Sequence, residues 1–110
     1  MMDEKMELTC LQIITNTGSA KSCYIEAIQK AKAGDRAEAE RLMEEGDSLY
    51  MQAHEVHASL IQQEAAGNRV EFSLILMHAE DQMASTEMAK VLAREFIEVY
   101  QNKVNRSDVQ

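Results

Sequence analysis

The sequence predicts an all-α protein, an antiparallel bundle of three long helices. Its apolar residues are mainly Leu, Ile, Ala and Met, which favour helices over strands. Proline is absent from the 110 residues, and four glycines are the main interruptions. Two of these glycines precede a polar residue that has a glutamate three positions later, which is the pattern expected where one helix ends and another begins. The chain has the length of one domain, residues 1–110.

The first of these junctions separates helices one and two. Helix one is predicted over Asp3–Ala33 and is closed by Gly34, because glycine adopts the left-handed conformation that commonly ends a helix. The segment Asp35–Glu38 reads as a capping box, in which each side chain bonds the other residue's backbone amide. Helix two then runs to about Ala66.

The second junction predicts helix three in the same way. Gly67 ends helix two, and Asn68–Glu71 reads as another capping box. Helix three is predicted to extend to about Asn102, and the polar tail 103–110 is expected to fray. Junctions this short place consecutive helices antiparallel.

The charge and the apolar runs exclude several classes of function. A net charge of −8 argues against non-specific binding to nucleic acid or to anionic membranes, since both require a basic patch. The acidic start lacks a signal-peptide pattern, and no apolar run is long enough to insert into a membrane. A cytoplasmic protein is therefore expected. Cys10 and Cys23, about 20 Å apart along one helix, cannot pair and are expected to be small reduced core residues without an assigned role.

Helix three has two apolar faces separated by a narrow charged stripe. The face predicted to pack on the other helices consists of Phe72, Ile75, Leu76, Ala79, Met83 and Ile97. The second apolar face consists of Leu74, Met77, Ala84, Met88, Val91, Leu92 and Val99. The charged stripe, which is expected to face solvent, consists of Glu80, Glu87, Arg94 and Glu98. A three-helix monomer has no place to bury the second face.

The second face also repeats with three- and four-residue spacing, as in a coiled coil, and the repeat includes Asp81. We infer that helix three packs against copies of itself about a symmetry axis; the alternative is that this face fills the core of a monomer. Symmetry would gather the Asp81 carboxylates, which then need a shared proton or a hard cation. The alternative for Asp81 is that a shifted register leaves it in solvent.

His78 lies between the two apolar faces, on the side that also carries Gln82, Ser85 and Phe96. Gln82 is one turn away, within reach of the imidazole ring, so one ring nitrogen could be held while the other acts as a nucleophile or ligand. The alternative is a buried core histidine. His54 and His57 are spaced for chelation but lack further ligands, and we expect them on a polar surface of helix two.

Two glycines lie inside predicted helices, Gly18 and Gly46, where each destabilises the helix by about 1 kcal/mol relative to alanine. Either the helix tolerates this loss of stability at both positions, or another helix packs so closely there that only glycine fits. For Gly18 the alternative is that another molecule approaches the backbone of helix one. Lys21 is a cation close to Gly18 and Ser22 in the sequence, where an anion could be bound.

Several segments together resemble the enzyme IIA components of the lactose/cellobiose class of the bacterial phosphotransferase system. The stretch LILMHAEDQMAST (residues 74–86) is similar to the active-site helix of that family. Further similar segments, in matching order and spacing, are Gly18–Ser22, Ala31–Asp35, Ala53–His54 and Leu60–Gly67. The resemblance covers nearly the whole chain.

The resemblance implies a phosphocarrier and a homotrimer of three-helix subunits. His78 would accept a phosphoryl group from the phosphohistidine of HPr and pass it to a cysteine of the cognate IIB protein during uptake of a β-linked disaccharide such as cellobiose, chitobiose or lactose. Asp81 matches an aspartate that meets its copies around a metal ion, Mg²⁺ or a similar hard cation, on the threefold axis. Gln82 stands where some members have a second histidine. Glu80 replaces a commoner glutamine and is expected to matter little for the chemistry.

Catalysis would then consist of positioning and hydrogen-bond donation. We expect donors from Gln82, from Ser85 and from helix one of the neighbouring subunit, where Lys21 and Ser22 are candidates; Gly18 would let partners or phosphate approach. Two other functions stay open. One is a non-catalytic helical oligomerisation or adaptor protein, and the weaker one is a two-component histidine phosphotransfer domain, whose lysine and glycine-serine pair after the histidine are missing here.

Overall fold

The computed structural model describes residues 3–109, with side chains through residue 103, and all regular structure within that range is helical. It contains α1 (Glu4–Lys32), α2 (Arg36–Ala65) and α3 (Leu74–Val109). The bundle is elongated, with extents of 63 × 21 × 19 Å. The predicted all-α, three-helix fold is confirmed.

The first junction has the geometry that its sequence predicts. Gly34 adopts a φ of 87°, and the amide of Asp35 donates to the carbonyl of Lys30 at 2.9 Å, which closes α1. The Asp35 carboxylate accepts the amide of Glu38 at 3.2 Å and caps α2. Only this half of the predicted capping box forms, because the Glu38 side chain binds Arg41 within α2 instead.

The second junction differs from its prediction. Gly67 ends α2 with a φ of 91°, but residues 68–73 are not helical, so the capping box predicted at Asn68–Glu71 is wrong. Ser73 caps α3 instead, since its hydroxyl oxygen accepts the amide of Leu76 at 3.1 Å. Phe72, which was expected on the packing face of helix three, therefore lies before the helix and is 73% exposed.

The far end of α3 also differs from its prediction. The helix continues to Val109, so the predicted end near Asn102 is wrong. No glycine or proline lies between these two positions to stop the helix. The expectation that segment 103–110 frays in solution stays a prediction, and Gln110 lies outside the described residues.

The core consists of two clusters in which α1 packs along both other helices, whereas α2 and α3 contact each other at few points. One cluster joins the start of α1, the end of α2 and the start of α3: Cys10, Ile13, Ala53, Leu60, Ala79 and Met83. The other joins the opposite ends: Ala20, Tyr24, Ala27, Ala31, Ala39, Leu42, Met43, Ala93 and Ile97. These groupings confirm the antiparallel order of consecutive helices and place α1 and α3 parallel.

Gly46 of α2 packs against the Tyr24 ring of α1. A Cβ at this position would lie 2.7 Å from Cε1 of Tyr24, whose side chain is fully buried. Close helix packing therefore explains Gly46, as expected.

Candidate functional site

His78 lies in the second turn of α3 and is exposed. Its imidazole forms no hydrogen bond with any residue that the structure describes, so both ring nitrogens are accessible to another molecule. The exposure excludes the alternative of a buried core histidine. The turn that precedes His78 carries Leu74, which is 80% exposed, so the ring stands beside apolar surface.

Gln82 lies one turn after His78 and is bound from the neighbouring helix. Nζ of Lys21 in α1 donates to Oε1 of Gln82 in α3 at 3.1 Å, and both side chains are half-buried. The expected contact of Gln82 with the imidazole is not formed among the described residues. Lys21 of α1 thus contacts the site within the same chain, and the donors expected from helix one of a neighbouring subunit stay a prediction.

Two buried threonines fix α1 against α3 close to this contact. Oγ1 of Thr86 donates to the carbonyl of Thr17 at 3.2 Å, and both threonines are fully buried. A buried polar group that binds a partner of fixed position defines the register between two helices. Sequence reasoning missed this pair, although Thr86 continues the core-facing stripe that begins at Ala79 and Met83.

The remaining candidates on this side are not joined by contacts within the described part of the chain. Ser85 and Ser22 are exposed, and neither hydroxyl takes part in a hydrogen bond there. Gly18 precedes Lys21 by about one helical turn. A Cβ at Gly18 would have nothing within 4 Å, so packing inside the chain does not require a glycine here.

Asp81 lies on the second apolar face of α3 and is exposed. It forms no ion pair with any described residue. Its neighbours on this face are exposed as well: Leu74 80%, Met77 46%, Met88 58%, Val91 53%, Leu92 46% and Val99 58%. The alternative that this face fills the core of a monomer is therefore wrong. Two exposed carboxylates, Asp81 and Glu95, lie among these apolar side chains.

His57 connects α2 to α3 rather than standing on a free polar surface. Its Nε2 lies 2.7 Å from Oε1 of Glu80, and only 19% of the His57 side chain is exposed. The polar surface expected for His57 is thus partly covered, because α2 passes beside the charged stripe of α3. His54 is exposed and lies against Tyr50, with ring centroids 6.3 Å apart. Among the described residues, no three or more His, Cys, Asp or Glu side chains form a group that could hold a metal ion.

The two cysteines are unpaired and buried, as expected. Burial raises the pKa of both thiols above the usual value, and for Cys10 the Glu80 carboxylate adds to the effect. Both side chains are therefore held as neutral thiols in the core, away from His78.

These features describe an all-α protein in which an exposed histidine, His78, lies one turn from a lysine–glutamine contact and beside a long exposed apolar face. A family model described as the lactose/cellobiose-specific IIA subunit of the phosphotransferase system (PTS) matches residues 8–101. The chain belongs to this family.

Curated relatives extend over almost the same length. The oligo-β-mannoside-specific EIIA component of Bacillus subtilis is 36% identical, and the match covers 91% of this chain and 97% of the relative. The lactose-specific EIIA component of Staphylococcus aureus is 35% identical over 100 residues, again covering 91% and 97%. The resemblance to the IIA family that the sequence shows is thus confirmed.

Solved structures give the same result for the fold. The PTS cellobiose-specific enzyme IIA of Bacillus anthracis superimposes with a TM-score of 0.90 at 38% identity, covering 96% of this chain and 95% of that one. The IIA(Chitobiose) chain in the IIA(Chitobiose)–HPr complex of Escherichia coli gives a TM-score of 0.78 at 31% identity, covering 91% and 97%. Within the described residues, no helix is long and apolar enough to cross a membrane.

Proposed function

We propose that this protein is a phosphocarrier that accepts a phosphoryl group from phospho-HPr on His78 and passes it to the cysteine of a cognate IIB protein. The observation that carries the proposal is the exposed, unbonded imidazole of His78 on α3, in a chain of the IIA family. The transfer serves the coupled uptake and phosphorylation of a β-linked disaccharide such as cellobiose, chitobiose or lactose. The protein acts in the cytoplasm.

The reaction is an in-line displacement at phosphorus. The unprotonated nitrogen of His78 donates its electron pair to phosphorus, and a new N–P bond forms. The N–P bond of HPr breaks, its electron pair returns to the imidazole of HPr, and that ring takes up the proton that the ring of His78 releases. In the second step the IIB thiolate forms an S–P bond, the electron pair of the broken N–P bond returns to His78, and its ring takes up the proton that the IIB thiol released.

The neighbouring polar residues support this step through hydrogen bonds to the phosphoryl oxygens. Gln82 and Ser85 lie on the same side of α3 as His78, and Ser22 belongs to α1; Lys21 of α1 binds Gln82 rather than the phosphoryl group. Donors that are already in place lower the barrier, because they stabilise the charge on the equatorial oxygens without reorganising. Gly18 has no Cβ, so a partner or its phosphate can approach the backbone of α1 at this position.

HPr docks on the surface around His78. A relative of this chain, IIA(Chitobiose), has been solved in complex with HPr, which supports HPr as the donor. Leu74, which is 80% exposed, lies one turn before His78 at the edge of the second apolar face and provides apolar contact area. IIB uses the same surface afterwards, since its cysteine must reach the same phosphorus.

The protein is proposed to be a homotrimer, assembled through the second apolar face of α3. This face stays exposed in the single chain over its whole length, from Leu74 to Val99. Apolar surface of this extent on a soluble domain marks an association site, and the three- and four-residue spacing suits packing against parallel copies.

The copies of Asp81 then hold Mg²⁺ or a similar hard divalent cation at the axis. A carboxylate without an ion pair among the described residues, surrounded by Met77 and Met88, suits such a cation, because association would remove it from water. The cation neutralises the gathered charge and has a structural role.

Intact-mass spectrometry tests the function and the site together. The full chain is incubated with phosphoenolpyruvate, enzyme I and HPr, in parallel with His78→Ala and with His54→Ala as a matched control. We expect one acid-labile phosphate on the wild type and on His54→Ala, and none on His78→Ala. A phosphate that persists on His78→Ala would move the site to another histidine. An unmodified wild type would reject the phosphocarrier function and favour an adaptor.

A further inference from the structure

We infer that Lys21 is a positioning residue, which turns the side-chain amide of Gln82 so that its NH₂ group faces the phosphoryl group on His78. This inference rests on the proposed function and adds a mechanism for transition-state stabilisation. It is carried by the contact between Nζ of Lys21 and Oε1 of Gln82 at 3.1 Å.

The contact with Lys21 determines the orientation of the Gln82 side-chain amide. A lysine ammonium group donates hydrogen bonds and accepts none, so only the carbonyl oxygen of Gln82 can face Lys21. The NH₂ group must then point away from Lys21. Nε2 donates no hydrogen bond to any of the described residues, so two donor hydrogens are available to a ligand.

The helix places this amide next to His78. Residues four apart lie on the same face of a helix, and helical side chains lean towards the N-terminus. The Gln82 side chain therefore extends over the turn that carries His78. A phosphoryl group on the exposed imidazole would add a charged acceptor at this point, and amide N–H groups are good donors to such oxygens.

Lys21 contributes in two ways without touching the phosphoryl group. It fixes a flexible amide in one orientation, so that less conformational freedom is lost when the phosphoryl group arrives. Its positive charge also draws electron density towards Oε1, which makes the NH₂ group a stronger donor. The buried hydrogen bond between Thr86 and Thr17 holds the two helices in the register that this contact requires.

The test compares rates of transfer from phospho-HPr to full-length variants. Gln82→Met removes the donor, and we expect transfer to slow roughly tenfold, as for the loss of one good hydrogen bond. Lys21→Met should cause a smaller loss, because Gln82 remains but is no longer oriented. Lys21→Arg, which still donates to Oε1, should restore most of the rate.

A double variant separates positioning from direct contact. If Lys21 acts through Gln82, Lys21→Met combined with Gln82→Met is no slower than Gln82→Met alone. If the two losses multiply instead, Lys21 binds the phosphoryl group directly and the inference is overturned. Gln82→Glu provides a second check, because it keeps the contact with Lys21 but replaces the NH₂ donor by an acceptor; we expect it to be at least as slow as Gln82→Met.

NMR of the Gln82 side-chain amide distinguishes the positioning role of Lys21 from a purely structural one. On phosphorylation of the wild type, one NH₂ proton should shift strongly, and Lys21→Met should lose most of this shift while its backbone spectrum stays unchanged. An equal shift and an equal rate in Lys21→Met would overturn the inference but leave His78 as the carrier. A wild type that accepts no phosphate would overturn the proposed function itself.

Discussion

His57 of α2 and Glu80 of α3 meet at 2.7 Å, beside the turn that carries His78. Few other points join these two helices, because α1 provides most of the packing for both. On the same charged stripe of α3, Arg94 reaches Asp47 and Glu40 of α2 at 3.3 and 3.4 Å. The stripe predicted to face water is exposed, and it also joins α3 to α2 through these pairs.

The first prediction concerns the stability that the His57–Glu80 contact provides. Since 47% of the Glu80 side chain is exposed, the interaction is screened and should contribute about 0.2–1 kcal/mol to the free energy of unfolding. Urea unfolding of His57→Ala, Glu80→Gln and the double variant measures the coupling. We expect the double variant to be less destabilised than the sum of the single effects. Strictly additive effects would show that the two side chains do not interact in solution.

The second prediction uses the two helical glycines as a matched pair. Gly46→Ala places a methyl group 2.7 Å from the buried Tyr24 ring, and we expect a loss of about 1–3 kcal/mol in unfolding free energy despite the better helix propensity of alanine. Gly18→Ala meets nothing within 4 Å, and we expect a gain of about 0.4–1 kcal/mol. Denaturant unfolding of both variants gives the two values.

Gly18→Ala also separates folding from function. If Gly18 serves the approach of a partner, this variant should be more stable than the wild type but accept phosphate from HPr more slowly. An unchanged transfer rate would leave Gly18 without a role in docking. A destabilised Gly18→Ala would contradict the open space around this position.

The sequence predicts the parts of the fold that depend on local chemistry. The junction at Gly34 and Asp35 forms as expected, because a left-handed glycine and an adjacent capping carboxylate act within a few residues. The start of α3 was misplaced because Asn68 and Ser73 are both good caps, and choosing between them depends on how the chain crosses from α2 to α3.

For the candidate site too, the sequence predicts only what depends on local helical geometry. A helical wheel puts His78, Gln82 and Ser85 on one side of α3, since that needs only the period of one helix. It does not reveal that Lys21 meets Gln82 across helices, or that His57 reaches Glu80. Such contacts depend on the register between helices, which the buried Thr86–Thr17 hydrogen bond helps to define.

The third prediction concerns assembly through α3. Val91→Glu places a charge in the middle of the second apolar face, and we expect the proposed trimer to dissociate, because burying that carboxylate would cost several kcal/mol. Ile61→Glu is a matched control, since Ile61 of α2 is similarly exposed, 54% against 53%, but lies off this face. Sedimentation equilibrium gives the mass of each variant. A monomeric wild type, or a trimeric Val91→Glu, would exclude association through this face.

The proposed axial cation is tested on the same assembly. Chelation with EDTA should lower the melting temperature of the wild type, and Mg²⁺ should restore it. In Asp81→Asn the gathered negative charge is gone, so EDTA and Mg²⁺ should have little effect. Equal responses in the two proteins would show that the cation is bound elsewhere.

The last prediction is a loss of stability at alkaline pH, centred on Tyr24. Burial, followed by the hydrogen bond that its hydroxyl donates to Asp47 at 2.7 Å, raises the pKa of Tyr24 far above the ordinary value of 10.0. The stabilising effect of the neutral phenol is complete below pH 10. Above it, tyrosine ionises in the unfolded chain while Tyr24 keeps its proton in the folded one.

The unfolding free energy should therefore fall by up to about 1.4 kcal/mol per pH unit from this residue above pH ~10. Tyr24→Phe removes the ionisable group, so its stability should fall less steeply between pH 10 and 11 than that of the wild type. Some slope remains, because the pKa of Tyr50 and of both buried thiols is also raised. Urea unfolding across this range compares the slopes, since the lost Asp47 hydrogen bond lowers the stability of the variant at every pH. Parallel slopes would mean that Tyr24 ionises as readily in the folded protein as in the unfolded chain.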